Sequence, residues 1–402
     1  MKTVSVVGMG MGPADISPAV RRAVEEARVL AGHQRLLALF PEHAGGRLPW
    51  RGGLSAWLEE VAQAAETSQV AVLASGDPGF FGVAASLLKR LGAERLRLVP
   101  NVTALQAAFA QFKLPWQEAQ TVSLHGRDAA PLFSALVRGD LVAIYTDPVH
   151  HPGHIAGLLL ERGQEGWRML VAENLGADDQ RLGSYGLREA AAAGFAPLNL
   201  AILQRTAEPE PLFLGMPEEA FLHQRGLITK TEVRAVALAK LRLMPWHRLW
   251  DLGAGCGSLG LEASRLLYRG GVVAVEREPA RVEQIKANRA RFGAANLEVI
   301  QGELPGALEG LAAPQRVFVG GGGPALAETL RLASRTLPPG GVLVAAAARL
   351  AALQEARQTL DNEGLAVDVT QVQASRGRPL ADDIHFKALN PVWLVRGIKD
   401  EA

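Results

Sequence analysis

Twice in this chain a short β-branched run ends directly in a glycine-rich turn and is followed by apolar residues at helical spacing. No other feature narrows the possible folds as far. Residues 4–7 lead into Gly8, Gly10 and Gly12, and 18–30 then carries the helical spacing. Arg248–Leu252 leads in the same way into Gly253, Gly255 and Gly257. The pattern returns at Val70–Ala74 before SGDP, at Leu96–Val99 before PNVTA and at Leu141–Tyr145 before TDP. Strands that alternate with helices are covered on both faces, so the expected class is α/β with largely parallel sheets.

A chain of 402 residues is long enough for two or three domains of about 100–200 residues each. The stretch QRTAEPEPLFLGMPEEAF places Pro209, Pro211 and Pro217 close together, where neither a helix interior nor a central strand tolerates them. The expected division is therefore a first domain at 1–204, a proline-rich linker at 205–217 and a second domain at 218–402. The second domain should open with a helix at 231–243. Further strands are expected at 272–276, Leu297–Gln301, 317–319, 341–345, 367–373 and 392–396. The last two have no helical pattern between them, so they should pair antiparallel at the edge of an otherwise parallel sheet.

The chain carries 42 Lys plus Arg against 41 Asp plus Glu, so no basic excess exists to bind a nucleic-acid backbone. A single cysteine, Cys256, makes neither an internal disulfide nor a multi-thiolate metal site, which fits a reducing cytoplasm. The N-terminal apolar run is broken by glycines and Asp15, and the run at 342–348 is stopped by Arg349, so no membrane segment is expected.

Neither glycine loop matches the dinucleotide fingerprint G-x-G-x-x-G: Pro13 and Ser258 stand where the third glycine belongs. Neither has the GK[ST] ending of a phosphate-binding P-loop. A nucleoside ligand that needs close backbone approach fits better. In the second half Asp251 precedes the glycines, and Glu276 ends the next strand some twenty residues on. An acidic side chain there can accept hydrogen bonds from both ribose hydroxyls, a requirement shared by dinucleotides and S-adenosyl-L-methionine, and the glycine spacing favours the latter. The alternative is a tight strand-to-helix turn at 253–257 with Glu276 a solvated strand end.

From GMPEEAF through RGLITKTEVRA, DLGAGCGSLGLEASR, AVERE, VFVGGGG, SRGRPL and NPVWLV, the second half resembles the precorrin methyltransferases that act at carbon 15 and decarboxylate an acetate. The first half resembles the tetrapyrrole methylase superfamily through VGMGMGPAD, LASGDPGFFG, VPNVTALQAAFAQFKLPW, SLHGR and VAENLG, with HGR and ENLG pointing to carbon 5 enzymes. Together the halves resemble the fused precorrin-6Y C5,15-methyltransferase (decarboxylating) family. The chain departs from the family pattern at Ala14, Asn101, Thr103 and Ala104.

The resemblance implies a tetrapyrrole methylase fold of two α/β subdomains followed by a Rossmann-like class I methyltransferase fold. It also implies S-adenosyl-L-methionine as methyl donor in each domain, a tetrapyrrole substrate, self-association into a homo-oligomer and no metal. The first cofactor site would draw on Met11, Asp77, Phe80, Thr103 and Ala104. The second would draw on Thr229, Gly253, Ala254, Gly255, Cys256, Gly257, Glu276 and Leu304. Thr229 could instead cap a helix beginning at Lys230, and Asp77 before Pro78 could form a turn.

A sulfonium methyl is already electrophilic, so alignment and exclusion of water matter more than a protein nucleophile, and no triad is expected. Substrate acetates and propionates call for guanidinium partners, for which Arg376 and Arg378 in the second half and Arg127 in the first are the candidates. The glycines at 320–323 would let the macrocycle approach the backbone, with Gly321 the position to substitute. His150, His151 and His154 lie close together, but Pro152 and Gly153 interrupt them and no carboxylate pattern completes a metal site.

Overall fold

The computed structural model describes residues 2–224, 226–321 and 323–400. The chain forms two compact units: Met1–Ala119 with Leu170–Ser184 and Phe195–Ala201, and Gln120–Met169 with Tyr185–Gly194 and Ile202–Ala402.

In the first unit β1 (Val4–Gly8), β2 (Val29–Gly32), β3 (Gly46–Pro49), β4 (Val70–Ala74) and β5 (Leu96–Val99) form a five-stranded sheet in the order β3-β2-β4-β1-β5. Every pairing in it is parallel. Its faces are buried separately. Val4, Val6 and Val72 pack with Trp57, Val61 and Leu87, while Val7 and Leu73 pack with Val20, Val24 and Leu37. The expected helix at 18–30 is shorter: it spans Pro18–Glu26, capped by the Ser17 hydroxyl, and Val29 and Leu30 belong to β2. Val29 and Leu30 serve a sheet as well as a helix end, and pairing with β4 decides between them.

The second unit holds β6 (Gln120–Ser123) parallel to β7 (Leu141–Tyr145) and, packed together, the helices Pro152–Glu161 and Leu187–Ala192. Strands β8 (Trp167–Glu173), β9 (Arg181–Gly186) and β10 (Asn199–Arg205) complete the first half of the chain. Residues 206–217 form no helix or strand. They are strapped down where Glu210 pairs with Arg291 at 2.6 Å and Pro209 covers Gly293. Within this same unit Arg162 stacks over Phe133 at 3.6 Å and donates to the Ala295 and Leu297 carbonyls, and Arg289 donates to the Glu161 carbonyl.

The remainder is a seven-stranded sheet built from β11 (Arg248–Leu252), β12 (Gly271–Glu276), β13 (Leu297–Gln301), β14 (Arg316–Val319), β15 (Val342–Ala347), β16 (Ala366–Val372) and β19 (Val392–Ile398), in the order β13-β12-β11-β14-β15-β19-β16. All neighbours are parallel except that β19 runs antiparallel to both β15 and β16. The antiparallel pairing expected of the last two strands is present. Between them lies an element the sequence reading did not include, a separate hairpin of β17 (Ser375–Leu380) and β18 (Asp383–Ala388). Strand order reverses between β11 and β14, which opens a crevice beyond their carboxyl ends, the usual ligand position in such sheets. Among the described residues no helix is long and apolar enough to cross a membrane.

Candidate active site

In the first unit three loops meet at the carboxyl ends of β1, β4 and β5. Gly10 and Gly76 exchange backbone hydrogen bonds of 3.2 and 3.0 Å. A side chain at Gly8 would strike the Gly76 carbonyl at 2.7 Å and Asn101 at 2.9 Å, so glycine is required there for packing. Asn101 donates to the Gly8 and Asp15 carbonyls, both at 2.9 Å. Asp77 accepts from Gly79 N at 2.7 Å and from Asn101 N at 3.0 Å, and the Asp15 carboxylate accepts from Met11 N at 2.8 Å.

Asp77 is thus a turn former that also ties two loops together. Thr103 is buried and completes a capping box with Gln106 at the start of the helix Ala104–Phe112. Met11, Asp77, Thr103 and Ala104 therefore belong to one cluster of loops, and Phe80 lies in the turn after Asp77, its ring 4.9 Å from that of Phe81. Arg127 belongs to the second unit, in the exposed turn after β6. That turn is held by Asp147, whose carboxylate accepts from the Gly126, Val149 and His150 backbone and is held down to about 2, the His150 bond contributing most. His151 accepts from His154 N as the N-cap of its helix.

In the second unit the glycine turn after β11, the end of β12, the segment after β13 and the turn after β14 line one pocket of about 590 Å³. Gly253, Gly255 and Gly257 have φ of +68°, +61° and +80°, a region that costs any other residue about 1–2 kcal/mol. Gly253 also approaches Gly321, whose carbonyl would lie 3.1 Å from an added side-chain carbon, so the β11 and β14 turns touch through glycine. Glu276 is buried and joins the turns. Its Oε2 accepts from Gly255 N at 2.8 Å, and its Oε1 accepts from Arg277 N and Glu278 N at 3.0 Å each. Behind it Asp251 is buried and accepts from Gly260 N at 2.9 Å, and burial pushes its carboxyl up to about 7.

Thr229, Gly253, Ala254, Gly255, Cys256, Glu276, Leu304 and Gly321 all line this pocket. Gly257 does not: it turns inward against Ile285, where a side-chain carbon would lie at 3.0 Å. Burial raises the Cys256 thiol above its ordinary range, which leaves it a packing group. Thr229 is not a helix cap. The helix Thr231–Leu241 is preceded by Lys230, and the Thr229 carbonyl instead accepts from Arg234.

Arg234 and Glu262 form a fully buried ion pair at 2.9 Å, and Arg234 also donates to the Met216 carbonyl. Removing one member of such a pair costs about 3–5 kcal/mol, so this pair holds the 226–230 wall of the pocket in place. Lys230, Arg277 and Arg281 line the pocket as well, and the sequence reading singled out none of them. Isolated surface-type cations carry no periodic or motif signal; only the fold assembles them.

Arg376 requires a correction. Its guanidinium makes four hydrogen bonds of 2.7–2.8 Å, two to Glu218 and two to Glu232. These partners raise its pKa and draw that of Glu218 well down. It is an anchor with its donors committed and not a free receptor for substrate carboxylates. Arg378 is exposed on β17. Among the described residues no group of three or more His, Cys, Asp or Glu side chains is placed to hold a metal ion.

Family models match both halves: Tetrapyrrole (Corrin/Porphyrin) Methylases over residues 3–191 and Precorrin methyltransferase domain over 219–398. A precorrin-6Y C(5,15)-methyltransferase [decarboxylating] from Sinorhizobium sp is 32% identical over 97% of this chain and 94% of its own length. Shorter relatives match about half of the chain. A probable cobalt-precorrin-6B C(15)-methyltransferase (decarboxylating) from Pyrobaculum aerophilum is 37% identical over 45% of this chain and 94% of its own. A cobalt-precorrin-7 C(5)-methyltransferase from Salmonella typhimurium is 35% identical over 43% and 87%. With its loop clusters at the strand ends of both halves and a full-length likeness of this extent, the chain belongs to the precorrin-6Y C(5,15)-methyltransferase (decarboxylating) family.

Proposed function

We propose that this chain is a bifunctional methyltransferase of cobalamin biosynthesis. It methylates precorrin-6B (precorrin-6Y) at C-5 and C-15 and removes the C-12 acetate carboxylate to give precorrin-8X. The half at 1–204 takes C-5, the half at 218–402 takes C-15 and the decarboxylation, and 205–217 joins them. The observation that carries this reading is the pocket in which the Gly253–Gly255 turn, Glu276 and Gly321 converge.

S-adenosyl-L-methionine supplies an electrophilic methyl group. The pocket fits its nucleoside: glycine turns admit close backbone approach, and the Glu276 carboxylate, with about four lone-pair sites and three backbone donors, keeps one site for a ribose hydroxyl. Thr229, Ala254, Cys256 and Leu304 would complete that site. Met11, Asp77, Phe80, Thr103 and Ala104 would serve the first one.

The remaining residues act on the macrocycle. Among the described residues nothing lies within 4 Å of a side-chain carbon added at Gly321, a pocket-lining position, which leaves space for a flat ring. Val392, Ala346 and Ala348 supply an apolar wall that excludes water, and Lys230 and Arg281 supply charge for acidic arms. On loss of carbon dioxide the electron pair passes into the conjugated ring and a proton then returns to the carbon that lost the carboxylate, so the protein's part is to hold that carboxylate where it is poorly solvated, to admit that proton and to exclude side reactions.

A second reading, the same chemistry on cobalt-containing precorrins, is favoured by the names of the half-length relatives, whereas the full-length relative is named for precorrin-6Y. The test incubates the full chain with S-adenosylmethionine and either metal-free or cobalt-containing substrate and weighs the products. Gain of two methyl groups with loss of one carbon dioxide from the metal-free substrate is expected. Turnover of the cobalt form alone would select the second reading, and turnover of neither would refute both.

A further inference from the structure

The β17–β18 hairpin is exposed along almost its whole length. An isolated two-stranded hairpin is marginal in water. This one is held by Arg376, whose bonds to Glu218 and Glu232 fasten one of its faces to the segment around 218 and to the start of the helix Thr231–Leu241. Register fixes what else lies on that face. Arg376 opposes Lys387 and Arg378 opposes His385, and directly opposed residues share a side of the sheet. The other face carries Gly377, Phe386 and Ile384, the latter two lying over the glycine.

Arg376 ties the hairpin to the pocket wall through one shared carboxylate. Glu218, which Arg376 grips, also lies 3.8 Å from the ammonium of Lys230, and Lys230 lines the pocket. Among the described residues no salt bridge engages Arg378 or Lys387, so two uncommitted cations stand beside a committed one, with Asp383 the only acid on that face, at the far end. A solvated basic face is the ordinary fate of such residues, but a solvated face has no need of a clasp onto a buried carboxylate that also meets a pocket-lining lysine.

We propose that Arg378 and Lys387 form a carboxylate-receiving rim for the acidic arms of the tetrapyrrole seated in the pocket, with His385 between them. This rests on the function proposed above and assigns its recognition to the hairpin. Guanidinium and ammonium groups suit propionate and acetate arms that project from the edge of a ring too wide to be engulfed. Such contacts form equally in ground and transition states, so they act on substrate affinity and leave the chemical step alone.

The test uses the full chain with the Arg378→Ala/Lys387→Ala double variant, Arg378→Lys and the opposite-face control Phe386→Ser. Calorimetry with S-adenosylhomocysteine reads the nucleoside site, and steady-state kinetics of the decarboxylating methylation read the tetrapyrrole. The double variant should bind S-adenosylhomocysteine as the parent does, raise KM for the tetrapyrrole tenfold or more with kcat within twofold, and lessen the salt dependence of kcat/KM. Arg378→Lys should retain most of the affinity, and Phe386→Ser should be neutral. Unchanged KM in the double variant, or an equal rise in Phe386→Ser, would overturn the rim. A parent that binds S-adenosylhomocysteine but turns over no tetrapyrrole would instead overturn the function on which the rim rests.

Discussion

Removal of the Glu276 carboxylate tests the second active site most directly. In the structure one oxygen holds the glycine turn through Gly255 N at 2.8 Å, and the other holds the turn after β12 through Arg277 N and Glu278 N at 3.0 Å. If the lone-pair site left free on the same group receives a ribose hydroxyl of the methyl donor, Glu276→Ala loses one hydrogen bond to a charged acceptor, about 1.5–3 kcal/mol. At about 1.4 kcal/mol per decade the dissociation constant should rise by about one to two decades. Glu276→Gln keeps the shape but has only one acceptor oxygen, and its amide would confront a backbone N–H on the other side, so about half of that loss is expected. Calorimetric titration of the full chain with S-adenosylhomocysteine should show one weakened site and one unaltered site. Parent-like affinity at both sites in Glu276→Ala would refute the assignment, as would an equal loss at both.

Two further outcomes follow from the same pocket. Asp251 is pushed up to about 7 by burial, against an ordinary 3.8, so the folded state holds its proton through a range in which the unfolded state releases it. The stabilising contribution is therefore complete below about pH 4 and is lost as pH rises through 7; the stability advantage of the parent over Asp251→Asn, read from denaturant melts, should shrink between pH 5 and 7.5, and a constant difference would count against it. Gly321→Leu meets no protein atom at its first side-chain carbon, so the variant should fold and bind S-adenosylhomocysteine normally while losing tenfold or more of its decarboxylating turnover; parent-like turnover would remove Gly321 from the macrocycle site.

Most of the C-terminal site was legible because its parts are local. β11 carries its own apolar run, the glycines after it are demanded by positive φ at 253 and 255, and Glu276 ends the neighbouring strand, so spacing along the chain sets spacing in space. Gly257 has the same local signature yet packs on Ile285, because which side of a turn faces a ligand depends on the helix behind it. The hairpin β17–β18 escaped notice for a different reason. β18 alternates, with Ile384, Phe386 and Ala388 against Asp383, His385 and Lys387, but its partner β17 carries Gly377 and Pro379, which argue against a strand there.

The chain's sequence by itself determined the α/β class, the seven strands of the C-terminal sheet and the two glycine turns, since these follow from side-chain periodicity and backbone freedom within a few residues. Only the tertiary structure decided the partners of the charged groups. Arg376 meets Glu218 and Glu232 across 158 and 144 residues, and Arg234 finds Glu262 across 28. A guanidinium binds any carboxylate within reach, so its chemistry does not choose among the 41 acids of the chain; sheet order and register bring one or two of them within 3 Å. That selection separates Arg376, an anchor, from Arg378 two residues on, which stays open to solvent.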